Sequence, residues 1–307
     1  MDAGERPAAL PADLDGVRRA LLEWYAEAHR AYPWRETDDP YAILVCEVMS
    51  QQTQLDRVVE PWTAFLERWP TVEALAEATR ADVVGFWSGH RLGYNRRARY
   101  LHEAARYVVE ELDGTFPETV EDLQALQGVG PYTATAVASF AFGAPAAVVD
   151  TNVKRVLYRA FDVPDDEGAF RATAAALVPA DASRAWNEGL MELGGTVCET
   201  VPRCDEPPCP WRDRCAAYAG ADFTAPDVPT QPRFDGSRRQ FRGRVVRTLD
   251  AHDELPLDAL GSRIRVDYVP DGEHGRMWLR DLLDDLADDG LVAVAERDGT
   301  TVARLAR

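Results

Sequence analysis

Lysine is almost missing from this chain: Lys154 is the only one among 34 basic residues, and the rest are arginines. Against them stand 52 Asp and Glu, for a net charge of −18. An acidic chain with almost no lysine has the composition expected of a protein from a high-salt cell. There the surface carboxylates maintain solubility and their mutual repulsion is screened. Read so, the acidity is a solvent adaptation, and polyanion binding has to be judged from local clusters. Long apolar runs are also lacking. None approaches a membrane span, and the opening MDAGERPAAL has no signal-peptide core, so the expectation is a soluble, cytoplasmic protein with no membrane partner. Cysteine is scarce at five, with four crowded between 198 and 215, which argues for a metal site over scattered disulfides. Strand-like alternation is missing before residue 235, so the first 215 residues are expected to be all-α. With 307 residues and 46% hydrophobic content, the chain is long enough for two domains with real cores.

The most informative stretch runs from Leu123 to Asn152, LQALQGVGPYTATAVASFAFGAPAAVVDTN. Leu123 and Leu126 stand at helical spacing, Gly128-Val129-Gly130 makes a tight turn, and Pro131 suits the first turn of a second helix. Such a helix–turn–helix hairpin aims its turn amides and the next helix N-terminus at a phosphate, so Gly128 and Gly130 are candidate phosphate-binding positions. Beyond it an apolar run ends in Asp150, and a new helix begins with Asn152, Lys154 and Arg155. A phosphate grip followed by a lone carboxylate suits an enzyme that works on a nucleotide. Equally, the turn is a common non-specific phosphate-binding element, and Asp150 can serve as a plain helix N-cap.

Apolar spacing predicts a helix over 13–31, a break at Tyr32-Pro33-Trp34-Arg35, and from Pro40 a helix, YAILVCEVMSQQTQ, that is apolar nearly all round and hence buried. Glu47 sits inside that run. A buried charge needs a reason, the alternative being an exposed Glu at one edge of the helix. Further helices are expected at 55–69, 79–88, 94–112, 118–127, 131–142, 152–161, 167–178 and 182–195. Pro226, Pro229 and Pro232 mark 216–237 as a linker. After it RQFRGRVVRTLDAHD, LPLDALGSRI and RMWLRDLLDDLADDG read as helices, and LVAVAERDGTTVARL as a hairpin, together a small winged-helix-like α+β domain at 238–307. Two basic stretches stand out. Arginines 91, 96, 97, 99 and 106 face one acid, Glu103, and six arginines between 233 and 247 face one acid, Asp235. They read as phosphate-contacting surfaces or as solvated helix faces.

Cys198, Cys204, Cys209 and Cys215 are spaced C-x5-C-x4-C-x5-C, stiffened by Pro202, Pro207, Pro208 and Pro210. Four thiolates satisfy tetrahedral zinc or a cubane cluster; the even spacing lacks the close pairs usual for zinc and favours [4Fe–4S]. Cys46, in the apolar helix, reads as an inert core residue.

Hairpin, carboxylate after an apolar run and late four-cysteine loop together resemble the helix-hairpin-helix superfamily of DNA glycosylases, the endonuclease III type. Within it, EVMSQQTQ (47–54), YPWR (32–35), LGYNRRARYL (92–101), LQGVGPYTA (126–134), VVDTNVKRVL (148–157) and WNEGLMELGG (186–195) are similar to the A/G-specific adenine DNA glycosylases of the MutY type. The resemblance implies two α-helical subdomains with an iron–sulfur loop, here 1–215 with the loop at 198–215. It also implies a monomeric base excision repair enzyme acting on double-stranded DNA that carries adenine mispaired with 8-oxoguanine or guanine. It makes Glu47 the acid that protonates the adenine base and Asp150 the group that stabilises an oxocarbenium-like sugar. Tyr132 and Asn152 then line the sugar side. Trp34, Arg35 and Glu188 hold the flipped base, Gln52 and Tyr94 wedge into the stack, and Thr53 faces the opposite base.

Departures from the family pattern bear on specificity. The family's usual cysteine spacing is C-x6-C-x2-C-x5-C; Asn95 replaces a second Tyr, and Ser50 an apolar residue. The segment after the linker is too short for the Nudix-like domain by which many members read 8-oxoguanine. A thymine or uracil mismatch glycosylase of the same fold is the alternative, and a catalytically inert DNA-binding module a more distant one. Position 132 carries Tyr where relatives with lyase activity carry the Lys that forms a Schiff base, so a monofunctional hydrolase is expected. Tyr132→Lys should therefore gain covalent trapping by borohydride on substrate DNA, whereas efficient trapping by the unaltered protein would contradict that expectation.

Overall fold

The computed structural model describes residues 10–206, 208–227, 233–269 and 273–306. The N-terminal residues 1–9, Pro207 of the cysteine loop and residues 228–232 of the expected linker lie outside the described residues. In chain order the helices are α1 (Leu14–Ala28), α2 (Pro40–Ser50), α3 (Val59–Arg68), α4 (Val72–Glu77), α5 (Arg80–Gly89), α6 (Arg96–Glu111), α7 (Val120–Leu123), α8 (Pro131–Phe142), α9 (Thr151–Phe161), α10 (Glu167–Leu177), α11 (Ser183–Thr196), α12 (Ala216–Gly220), α13 (Arg238–Asp250), α14 (Leu257–Ile264) and α15 (Glu273–Asp288). The strands are β1 (Leu255–Pro256), β2 (Val292–Arg297) and β3 (Thr300–Leu305). The molecule is mainly α, as its composition and periodicity imply.

Packing divides the described residues between two compact units, the first holding those of Met1–Glu47, Pro117–Ala125 and Val129–Thr230. Its core gathers Val17 and Leu21 of α1, Val153, Val156 and Leu157 of α9, Phe170 of α10 and Trp186, Leu190 and Leu193 of α11. Trp211 lies in the same cluster, its indole N–H donating to the Val17 carbonyl at 2.9 Å, so the cysteine loop is pinned to α1. Arg159 of α9, only 3% exposed, holds the chain around that loop by donating to the carbonyls of Glu199, Thr200, Phe223 and Thr224. Because its guanidinium is spent on these backbone acceptors and on the Cys198 sulfur, burying it costs little.

The second unit holds Val48–Phe116, Leu126–Gly128 and the described residues of Gln231–Arg307. Helices α4, α5 and α6 pack around Val83, Val84, Trp87, Leu101 and Val108, and α13 lies along α5. The C-terminal elements run helix, strand, helix, helix, strand, strand with sheet order β1-β3-β2, all antiparallel. This is the expected winged-helix-like order, β2 and β3 turning at Asp298 and Gly299, both at positive φ. Asp289 ties the segment to α6, accepting from Arg96 and Arg242 through its carboxylate and from Arg99 through its carbonyl.

Local differences from the expected elements have plain causes. LPLDALGSRI opens with a two-residue strand, because Leu255 and Pro256 complete the edge of β3 before the helix starts. The 118–127 helix shrinks to Val120–Leu123 and gives way to tighter turns. The 55–69 helix splits into a 3-10 turn and α3. Helix α4 was not expected; Thr71 caps it by accepting from the Ala74 amide. Helix α12 lies inside the expected linker.

Candidate active site

The first unit brings Glu47, Tyr132, Asp150 and Glu188 within electrostatic reach of one another. Glu47 lies on α2, 7% exposed amid Ile43, Leu44, Val45 and Cys46. Its carboxyl is pushed up to about 8, first by burial and then by the charges of Asp150 and Glu188; a hydrogen bond from the Tyr132 hydroxyl acts in the opposite sense. Tyr132, in the first turn of α8, is held well above the usual phenol range by burial and by Glu47 and Asp150, so it remains a hydroxyl donor.

Asp150 caps α9. One carboxylate oxygen accepts from the Val153 amide at 2.7 Å and the other from the Asn152 side-chain amide at 3.1 Å. Burial raises its pKa, while those bonds favour the anion. Two acids share one site in unlike environments, an apolar helix for Glu47 and a set of amide donors for Asp150. The proton therefore rests on Glu47 and the charge on Asp150. The cap that α9 requires and the placement of the carboxylate are one and the same feature.

Around this pair the scaffold is tightly bonded. Asn187, buried on α11, accepts from the Val148 amide and donates to Ser139 Oγ and the Ala146 carbonyl, fixing the extended run that delivers Asp150. Asn152 accepts from Arg155, which also donates to the carbonyls of Gly194 and Cys198. At Gly194 a Cβ would come within 2.7 Å of the Asn152 Cβ, so α9 and α11 approach this closely only over glycine. Glu188 accepts from the Tyr25 hydroxyl at 2.6 Å and from Arg184 at 3.2 Å. Arg184 in turn donates to the carbonyls of Trp34, Arg35, Thr37 and Phe140.

Trp34, 8% exposed, stacks on Tyr32 with ring centroids 4.8 Å apart. Arg35 donates to Glu192 at 2.7 Å and to the Arg30 carbonyl, and it lies over the rings of Tyr25 and Tyr32. Burial alone would raise Glu192, but hydrogen bonds from Arg30 and Arg35 hold it below the usual carboxylate range. The sequence reading missed Tyr25, Arg184, Asn187 and Glu192. Glu192 had a legible signal, since it stands one helical turn after Glu188 on a helix with an apolar face.

Gln52, Thr53 and Tyr94 belong to the second unit. Gln52 is exposed at φ +55 and Thr53 follows it, its amide bonded to the Ser50 carbonyl. Tyr94 is 37% exposed on a loop where Arg91, Gly93 and Tyr94 all have positive φ. Arg97 holds both segments, donating to the carbonyls of Val48, Met49 and Gln51 on one side and of Leu92 and Gly93 on the other. Residue type marks it only as one cation in a cluster. Gly128 takes φ +79, and a Cβ there would strike the Tyr100 side chain at 2.6 Å; Gly130 caps α8, and a Cβ there would meet open space.

Cys198, Cys204, Cys209 and Cys215 line one cavity with Val156, Arg159, Leu193 and Trp211. Burial first, then the three other thiols, pushes Cys209 up to about 12; a backbone hydrogen bond from Trp211 opposes the shift. Among the described residues no three His, Cys, Asp or Glu are grouped to hold a single metal ion. Four thiols around one cavity are the donor chemistry that a thiolate-bound metal site requires.

Known proteins resemble the chain in sequence and in fold. The family described as HhH-GPD superfamily base excision DNA repair protein matches residues 45–180. The chain is 40% identical to the adenine DNA glycosylase of Mycolicibacterium smegmatis, over 89% of this chain and 91% of that one. It is 42% identical to that of Mycobacterium tuberculosis, over 77% and 79%. The solved structure of a thermostable thymine-DNA glycosylase superposes with a TM-score of 0.61 at 29% identity, covering 68% of this chain and 99% of that one.

The position of Glu47 has a consequence for stability. Its folded pKa, about 8, lies above the unfolded value of 4.5, so the native state binds more protons between those limits and stability falls as pH rises through that window. Glu47→Gln should remove this loss. In urea unfolding the variant is expected to gain on the parent steadily from about pH 5 to 8, reaching on the order of a few kcal/mol. A difference independent of pH would show that Glu47 ionises normally.

Proposed function

Because the chain belongs to the adenine DNA glycosylase family of helix-hairpin-helix base excision repair proteins, we propose that it hydrolyses the N-glycosidic bond of adenine mispaired with 8-oxoguanine or guanine in duplex DNA. The observation that carries the reading is the buried, proton-holding Glu47 beside the amide-held Asp150. Glu47 carries a proton at neutral pH and donates it to a ring nitrogen of the adenine, turning the base into a neutral leaving group. As the bond to the sugar lengthens, positive charge develops on the sugar and the anionic Asp150 stabilises it, fixed beforehand by the Val153 and Asn152 donors. Water adds at the sugar carbon. Its proton passes to the surroundings, and an abasic site remains.

Tyr132 contributes a hydroxyl to Glu47 and no amine to the sugar, so the reaction ends at base removal. Glu188, oriented by Tyr25 and Arg184, and Trp34 and Arg35 belong to the binding side. The hairpin at Gly128–Gly130 and the Gln52, Thr53 and Tyr94 segments meet the DNA backbone and the stack. Cys198, Cys204, Cys209 and Cys215 would hold the [4Fe–4S] cluster; when bound, it replaces neutral thiols with metal–thiolate bonds that cross-link the loop. Trp211 and Arg159 fasten that loop independently.

Duplexes carrying A·8-oxoguanine, A·G, T·G and U·G, each followed by alkali to reveal abasic sites, test the assignment. Cleavage at adenine is expected. Glu47→Gln should slow it by about 10²–10⁴-fold, the range typical of general acid–base catalysis, while duplex binding persists. Cleavage of T·G or U·G alone would replace the adenine reading with the thymine or uracil one.

A further inference from the structure

The arginines between 233 and 247 do not form one uniform basic face. Arg238 is paired with Asp285, and Arg242 with Asp285 and Asp289. Arg244 donates to the Ile264 carbonyl and lies over Phe241. Arg239 is placed differently. Its guanidinium lies 5.3 Å from the centroid of the Tyr94 ring and 5.2 Å from that of Phe234, and it donates to the Tyr94 hydroxyl. Arg97 approaches the same Tyr94 ring at 5.5 Å. Both rings are open to solvent, Tyr94 at 37% and Phe234 at 52%.

Tyr94 adopts φ +47, a conformation that costs a bulky residue energy and persists only where the surroundings impose it. Here they do. The Trp87 indole N–H donates to the Gly93 carbonyl at 2.8 Å, and Arg97 holds Leu92 and Gly93. An exposed aromatic ring is thus presented rigidly, with a guanidinium plane and a second exposed ring in continuation. Planar guanidinium and aromatic groups in series are what unstacked nucleobases stack on, and their cation repays the approach of a phosphate backbone. On a chain of net charge −18 a polyanion is tolerated only where such a local cation sits.

We propose that Tyr94, Arg239 and Phe234 form one stacking platform for a nucleobase of the bound duplex. The C-terminal segment that carries Phe234 and Arg239 is then part of the DNA-contacting surface and takes a share of substrate selection. The inference rests on the reading of the chain as a DNA glycosylase, and it assigns to the C-terminal segment a contact that the Glu47–Asp150 chemistry does not need.

The test uses the full chain in a Glu47→Gln background and a fluorescein-labelled duplex containing one A·G mispair, with anisotropy read over a series of salt concentrations. Phe234→Ala and Arg239→Ala should each weaken binding by about tenfold. Arg239→Ala should also make the slope of log K against log salt shallower by about one. Arg239→Lys keeps the charge and loses the plane: the slope should stay as in the parent while affinity still falls. Thermal unfolding midpoints identify any variant that has lost its fold, and the exposed Phe234 keeps the test open if the Arg239 variants do. Binding indifferent to all three substitutions, where the protein with Glu47 intact excises adenine, overturns the platform and leaves the function standing. Duplex binding that depends on Arg239 and Phe234, by a protein that excises no adenine, overturns the substrate reading and leaves the platform standing.

Discussion

A carboxyl group taken out of water among apolar side chains and other acids keeps its proton, because the charged form has lost its hydration and meets like charges. Glu47 is in that position. Its helix is apolar on nearly every side, and Asp150 and Glu188 add their repulsion. Asp150 holds its charge on the Val153 amide, a donor that any helix N-terminus offers, and on the Asn152 side chain. The separation of proton and charge between the two follows from where α2 and α9 place them. Much of the first unit serves that placement: Asn187 fixes the run before Asp150, Gly194 admits Asn152, and Arg184 ties α11 to the segment carrying Trp34 and Arg35.

Arginine, nearly the only cation in the chain, is put to an unusual use for a protein so acidic. Arg97, Arg159 and Arg184 each donate to four or more backbone carbonyls and act as staples, not as surface charges. The planar five-donor fork is suited to this, and a lysine ammonium is not. A scarcity of lysine can therefore coexist with a firmly held interior. Many of the arginines in the two basic stretches are bound to carboxylates or carbonyls within the protein, so their number overstates the cationic surface left for a ligand.

The sequence made much of this fold readable where the signals were local. Helical apolar spacing located α1, α2, α8, α9 and α11 to within a few residues, and the Gly128–Gly130 turn followed from residue type alone. Glu47 and Asp150 could be singled out because a Glu in an apolar run and an Asp after one are each anomalous. What stayed hidden was set by tertiary contacts. Leu255 and Pro256 form a strand only because β3 lies beside them. Glu192 forms ion pairs with arginines some 157 to 162 positions away in the chain, and no periodicity reports that. Residue type does not mark Arg97 or Arg184 as staples, because the acceptors they tie together are mostly carbonyls, which leave no trace in the sequence.

The central claim is that the buried Glu47 supplies the proton for base removal. The most direct measurement is the pH dependence of single-turnover adenine excision by the unaltered protein on a mispaired duplex. If Glu47 must be protonated, the rate is level at neutral pH and falls tenfold per pH unit above its pKa of about 8. A rate that stays level well beyond that pH, or one that rises through it, would contradict the account.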